Sequence, residues 1–204
     1  MTVQESAFGL TAADGHRIRG ISWRGDAPPV AHIQIAHGRG EHARRYERAA
    51  RELVRAGFWV HANDHRGHGE AAREAGRLGD FGPRGFAAVV SDMAEVGGHI
   101  RRAHPAAPLI LFGHSMGSFA AQYFLLDHSP LIDGLMLCGT AAVDLRDPRH
   151  PGHVDTDWNA GIDAPRTPFD WLTRDGARTG TVLMLRGRRR DSRSRYRHCA
   201  RPSP

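Results

Sequence analysis

The sequence predicts an α/β fold: a mostly parallel sheet covered by helices on both faces, with an antiparallel hairpin at its amino-terminal edge. Three observations carry this. Apolar runs of strand length alternate with segments of helical period over residues 1–140. Those runs are nearly continuous in apolar residues, as strands buried on both faces are. The first of them is preceded by an Asp14-Gly15 turn flanked by Phe8, Leu10, Ile18, Ile21 and Trp23, a hairpin signal.

In chain order, residues 7–23 read as that hairpin, and Gly25, Asp26 and Pro28-Pro29 break the chain after it. Residues 30–36 form a buried strand ending in a glycine-rich turn, His37-Gly38-Arg39-Gly40-Glu41-His42. Tyr46, Ala49, Ala50, Leu53 and Val54 recur at helical spacing over 44–56, and Gly57 stops the helix. A short strand at 58–62 leads into Asp64-His65-Arg66-Gly67-His68-Gly69. The best helical pattern spans 84–102, with Phe86, Val89, Val90, Met93, Val96 and Ile100 on one face and His104-Pro105 ending it. A strand at 109–112, a helix at 116–126 and a strand at 132–138 complete the alternation. From 141 to 171 it dissolves into Pro, Asp, His and Gly with scattered aromatics.

At 204 residues the chain is long enough for one sizeable domain with a real core. No stretch approaches eighteen apolar residues, and residues 1–10 lack the basic-then-apolar pattern of a signal peptide. Cys138 and Cys199 form no disulfide framework, which suits a reducing, cytoplasmic setting; Cys138, in an apolar run, is expected to be a buried small residue. The net charge of +6 misleads. Residues 1–175 hold 19 Arg against 21 Asp and Glu, a balance of −2, whereas 176–204 hold 9 Arg against Asp191 alone, a balance of +8. The basic character belongs to the last segment, so the body gives no case for specific nucleic-acid binding.

Chemistry concentrates at Phe112-Gly113-His114-Ser115-Met116-Gly117. A strand, a sharp turn carrying a serine, and a helix are what G-x-S-x-G requires of a nucleophile elbow. In an open parallel sheet such chemistry sits at the carboxyl ends of the strands, where the His37 and Asp64 turns also lie. An acyl-transfer serine needs two backbone N–H donors aimed at the oxyanion. Met116 is placed to give one, and Arg39, in the turn after an earlier strand, the other. The alternative for Ser115 is a structural serine capping the helix. A metal reading of His37, His42, His61, His65 and His68 fails, because a dinuclear H-x-H-x-D-H site would need histidines where Val60 and Ala62 stand. These histidines are expected to shape the floor of the site, and Asp64 and Arg66 to be a structural loop pair.

Taken together, His37-Gly-Arg-Gly-Glu-His42, Asp64-His-Arg-Gly-His-Gly69, Leu78-Gly-Asp-Phe-Gly82 and Phe112-Gly-His-Ser-Met-Gly117 resemble the monoacylglycerol lipase/lysophospholipase branch of the α/β-hydrolases, often grouped with the serine aminopeptidases. The order and spacing match over residues 5–175. The resemblance implies an α/β-hydrolase fold and hydrolysis of a carboxylic ester, monoacylglycerol- or lysophospholipid-like, with no metal or cofactor. The partner it implies is a small lipid-like ester, with at most peripheral membrane contact. It carries over Ser115 as nucleophile and the Met116 and Arg39 amides as oxyanion donors, with His37, Gly38 and His114 at the substrate pocket. Arg39 departs from the pattern, in which a small or apolar residue is more usual. His114 is expected to hydrogen-bond beneath the serine; as the serine's neighbour it points the wrong way for a base.

A serine nucleophile needs a base oriented by an acid, delivered in this fold by later strands. Here the resemblance ends near Asp175, so the last strands are expected to be missing and the chain to be truncated at its carboxyl end. The expected division is 1–140 as hydrolase core, 141–175 as the start of a cap, and 176–204 as an Arg-rich tail. Its abrupt change of composition points to a solvated disordered segment or to out-of-frame translation, which sequencing the locus would check. Asp191 and His198 are the tail's only candidates for a surrogate acid and base, with six residues between them. The strand at 132–138 would then be an exposed apolar edge. The alternative reading is a non-catalytic binding module that keeps an acyl pocket.

Overall fold

The computed structural model describes residues 2–141. Six strands form one sheet in the order β1-β2-β4-β3-β5-β6. β1 (Gln4–Thr11) and β2 (Arg17–Arg24) pair antiparallel, with Ala7 opposite Ile21 and Leu10 opposite Ile18. Gly15 in the turn between them adopts φ 82°, a conformation that favours glycine. β2 pairs antiparallel with β4 (Trp59–Asn63). The remaining ladders, of β3 (His32–Ala36) with β4 and with β5 (Leu109–His114), and of β5 with β6 (Gly134–Cys138), are parallel.

Both faces of this sheet are covered. On one, Ile33, Ile35, Val60, Ala62 and Trp23 pack with Ala50 and Val54 of α1 (Glu47–Arg55). On the other, Ala36 and Leu111 pack against Val89 and Met93 of α3 (Phe86–Ala103) and Ala120, Ala121 and Phe124 of α4 (Met116–His128). All five residues of β3 are buried, which is why it reads as an unbroken apolar run apart from His32 and Gln34. Gln34 keeps its place there by donating to the Met93 carbonyl at 2.8 Å.

Departures from the expected elements are local. The turn preceding α1 is a 3-10 turn over Ala43–Tyr46. A six-residue helix, α2 (Gly69–Glu74), follows the Asp64 turn and was not expected, because Gly-Glu-Ala-Ala-Arg-Glu carries no apolar period. On α3 the buried face includes Asp92 among the apolar residues. Cys138 is exposed, contrary to the expectation of burial. It ends β6, the outer strand among the described residues, where Met136 and Leu137 are also exposed. No helix among the described residues is long and apolar enough to cross a membrane. The expected cap, the Arg-rich tail, and Asp191 and His198 lie outside the described residues.

Candidate active site

β5 carries Phe112-Gly113-His114 to its carboxyl end, and the chain turns through Ser115 directly into α4. Ser115 has φ 51° and ψ −118°, and among the described residues it is the one non-glycine with positive φ. Such a conformation costs on the order of 1–3 kcal/mol and persists only where the surroundings over-determine it. They do here. The Ser115 N–H donates to the Cys138 carbonyl of the adjacent strand at 2.9 Å. The Ser115 carbonyl accepts from the Ser118 N–H at 2.8 Å and from Ser118 Oγ at 2.6 Å. A Cβ at position 113 would lie 2.7 Å from the Gly117 carbonyl oxygen, and one at 117 would lie 2.1 Å from that of Ala36. The two glycines therefore let the start of α4 rest against the ends of β5 and β3. Ser115 makes no side-chain cap bond to the helix, so its hydroxyl is not used as an N-cap. Met116 is the first residue of α4, and its N–H has no acceptor within the helix.

The neighbouring strand β3 ends at Ala36, and residues 37–42 form the facing turn. His37 is fully buried, and its tautomer is fixed by its partners. The His65 backbone N–H donates to His37 Nε2 at 2.9 Å, so the proton is on Nδ1, which donates to the Gly38 carbonyl at 2.8 Å. Gly38's own N–H donates to Glu41 Oε2 at 2.9 Å. The same oxygen accepts from Tyr46 Oη at 2.6 Å and from His114 Nδ1 at 3.2 Å, while Arg45 Nε donates to Oε1 at 2.8 Å. Burial pushes the Glu41 carboxyl up, but the bonds from His114, Tyr46 and Gly38 outweigh it and hold it down at about 2. Burial and that carboxylate together raise Tyr46 far above the ordinary phenol range.

The turn and the elbow thus meet. A Cβ on Gly38 would sit 3.1 Å from Glu41 Oε2, 3.2 Å from His114 Nδ1 and 3.2 Å from Ser115 Cβ. The structure brings Gly38, His114 and Ser115 together, with Arg39 next in the turn. The Arg39 N–H makes no hydrogen bond among the described residues. His37 reaches the site through its bond to Gly38 and not through an exposed face. A depression of about 380 Å³ against α1 is lined by Glu41, Tyr46, Ala49, Glu52, Phe112 and His114; it touches the site through Glu41 and His114, and Ser115 does not line it. The sequence marks Glu41 only as part of the His37–His42 motif and Tyr46 only as part of a helix face; their meeting with His114 depends on contacts between separate segments.

The other marked residues divide differently from expectation. His65 and His68 lie beneath the Gly38 turn, with the His37 and His65 rings 4.2 Å apart. His61 does not: on β4 it bonds His32 Nδ1 at 2.9 Å and Ser22 Oγ at 2.8 Å, opposite Gln34 in mid-sheet. Asp64 and Arg66 are not a pair with each other. Asp64 accepts from the Ala43 N–H at 2.8 Å, and burial raises its carboxyl. Arg66 instead forms bidentate pairs with Asp14 and Asp92.

The buried imidazoles predict acid lability. Burial, reinforced by neighbouring histidines, lowers His61 and His65 to about 3 each, and lowers His37 well below its ordinary value. The unfolded chain binds those protons at pH 6.5 while the folded chain does not, so stability is complete above pH 6.5 and falls as pH drops below it. Each imidazole that stays neutral removes about 2 kcal/mol by pH 5, before the carboxylates begin to titrate. Urea unfolding midpoints measured from pH 7.5 to 5.0 should fall steadily; a flat profile would refute this.

Residues 27–162 match the family described as serine aminopeptidase, S33. The chain belongs to that family. Among relatives in this α/β-hydrolase group, it is 35% identical to the monoglyceride lipase of Rattus norvegicus over 128 residues, which are 63% of this chain and 41% of the relative. It is 31% identical to the monoacylglycerol lipase of Mycolicibacterium smegmatis over 170 residues, 83% of this chain and 59% of the relative. The chain therefore spans about half the length of these relatives. Among solved structures, a thermostable carboxyl esterase from Bacillus coagulans aligns with a TM-score of 0.70 at 28% identity, covering 89% of this chain and 65% of that one. The S33 match begins after the hairpin and takes in both the His37 turn and the elbow.

Proposed function

We propose that this chain is the serine-bearing part of a carboxylic ester hydrolase acting on monoacylglycerol- or lysophospholipid-like acyl esters. Ser115 Oγ attacks the acyl carbonyl, and the N–H groups of Arg39 and Met116 stabilise the oxyanion that forms. The single observation that carries this is the positive-φ turn at Ser115 between β5 and α4, held against the Gly38 turn. Similarity to monoglyceride lipases and to a carboxyl esterase supports an ester over other acyl substrates. An Arg at position 39 would put a cation beside the acyl site. The exposed thiol of Cys138 suits a reducing compartment.

The base and acid that would activate Ser115 are assigned only as candidates, His198 and Asp191. Six residues between them leave no room for the helix and strand that separate acid from base in this fold, so slow turnover is expected. The second reading is an acyl-binding module without catalysis. A fluorophosphonate probe separates the two. Labelling that disappears in Ser115→Ala, together with an ester turnover reduced more than about 10³-fold, is the expected result. Absence of labelling in the unsubstituted protein would overturn the hydrolase reading for this chain.

A further inference from the structure

The two amides read as oxyanion donors, those of Arg39 and Met116, come from loops and stand 77 positions apart in sequence. An oxyanion hole works only if its donors are held at a fixed separation, since a donor displaced by an ångström loses most of its effect. Adjacent strands set that separation coarsely: Ala36 is paired with Gly113 at the end of the β3–β5 ladder. Beyond those residues the ladder stops, and both loops continue without backbone pairing to each other among the described residues. Side chains must therefore fix the remaining degrees of freedom. Among the described residues, Glu41 is the carboxylate that bonds both loops, at the Gly38 N–H and at His114 Nδ1.

We propose that Glu41 is the positioning residue of this site, its carboxylate joining the Gly38 amide on one loop to the His114 ring on the other. It rests on the reading of Arg39 and Met116 as oxyanion donors. The contacts act on the peptide unit that matters. The Gly38 carbonyl and the Arg39 N–H belong to one planar peptide, so the rotation of that plane decides where the Arg39 N–H points. On the carbonyl side the plane is held by His37 Nδ1 at 2.8 Å and by the Glu41 backbone N–H at 3.2 Å. On the preceding amide Glu41 Oε2 holds Gly38 at 2.9 Å. The same oxygen accepts a hydrogen bond from His114 Nδ1 at 3.2 Å, which anchors the elbow residue before Ser115 to the turn. Tyr46 and Arg45, from the turn preceding α1, fix the carboxylate itself. Charge-assisted bonds of this kind are roughly twice as strong as neutral ones, and a carboxylate with no proton of its own can accept all of them at once.

Glutamine at position 41 keeps the shape and loses both the charge and one acceptor. The test compares the full unsubstituted chain with Glu41→Gln and Glu41→Ala by two readouts. The first is the rate of Ser115 phosphonylation by a fluorophosphonate, resolved into probe affinity and maximal rate. The second is ¹H–¹⁵N NMR of the Gly38 amide and the His114 ring N–H. In the unsubstituted protein the Gly38 amide should exchange slowly and the His114 Nδ1 proton should be resolved. In Glu41→Gln the maximal phosphonylation rate should fall about 10- to 100-fold at unchanged probe affinity, less than the loss of a whole oxyanion donor. Exchange at Gly38 should rise at least about tenfold while the amides of β3 and β5 keep their protection. Glu41→Ala should show the same changes in larger measure. A Glu41→Gln protein labelled at the original rate, or one with unmoved Gly38 and His114 signals, overturns the proposal. So does rapid Gly38 exchange in the unsubstituted protein, a result available even if both variants fail to fold. If the unsubstituted protein is not phosphonylated at all, the hydrolase reading falls, and the NMR readout alone then decides for or against the clamp.

Discussion

Replacing Gly117 by alanine should unfold this protein or lower its melting temperature by about 10 °C or more. The added Cβ would lie 2.1 Å from the Ala36 carbonyl oxygen, 2.5 Å from the Ala36 carbonyl carbon and 2.7 Å from the His37 carbonyl oxygen. All three obstacles are backbone, so no side-chain rotation can relieve the overlap. Either α4 lifts from the sheet or the end of β3 moves. The first opens the packing of Ala120, Ala121 and Phe124, and the second displaces the turn that carries Gly38. Overpacking of a close-packed interior costs about 1–3 kcal/mol where side chains can yield, and more is expected where they cannot. Gly134→Ala is the control, since its Cβ would meet only the Ile110 side chain at 3.5 Å, ordinary contact. Calorimetric melting of the two variants side by side checks the claim. Equal melting temperatures would show that the start of α4 is not held against β3.

The second large effect is expected at Arg66. Its guanidinium bonds Asp92 through Nε at 2.7 Å and Nη2 at 2.8 Å, and Asp14 through Nη1 at 2.6 Å and Nη2 at 2.9 Å. The carboxylates hold the guanidinium firmly charged, and its hydrogen bonds hold Asp14 well below the usual carboxylate range. The arrangement ties three distant parts of the chain together: the hairpin turn, the loop after β4, and α3. Asp92 is 1% exposed, and without Arg66 the other basic group beside it is His16 at 3.9 Å, an imidazole that burial holds toward its neutral form. Removing one partner of a buried pair leaves an uncompensated charge, at a cost of about 3–5 kcal/mol. Arg66→Ala should therefore lower the urea midpoint steeply. Arg66→Met combined with Asp92→Leu should recover much of the loss, because replacing a buried pair by apolar residues is close to neutral. A single variant as stable as the parent would mean that water reaches Asp92 freely.

What could be read from the sequence follows from which interactions are local. The strands at His32–Ala36 and Leu109–His114 announce themselves because burial, complete in the first and alternating with half-burial in the second, leaves an apolar run. The elbow is legible because a serine between two close-packed glycines has few other uses. Glu41 is different. Nothing in its neighbourhood says that its carboxylate reaches His114, 73 positions away, because that contact exists only once β3 and β5 lie side by side. Asp92 is hidden for the same reason: on a helix of apolar period one acid looks like an interruption, and Arg66, which makes its burial possible, sits 26 positions earlier. His61 lies close in sequence to His65 and so reads with the site, whereas strand geometry carries it to mid-sheet beside His32 and Ser22. Cys138 misled for a simpler reason. An apolar run indicates a strand, but not whether that strand lies inside a sheet or at its rim.

The strand order has a kinetic consequence. β3 and β5 are sequence-distant neighbours, and His32 pairs with Leu109 across the whole of β4, α2 and α3. Closing so long a loop is slow, and its entropy is spent before the contact gives anything back. The strained backbone at Ser115 depends on the Cys138 carbonyl of β6 and on the Ala36 end of β3, so it cannot form until those ladders have closed. The turn at Ser115 is then among the last features the folding chain acquires. A newly made chain must therefore pair β3, β5 and β6 before Ser115 is held in its strained turn.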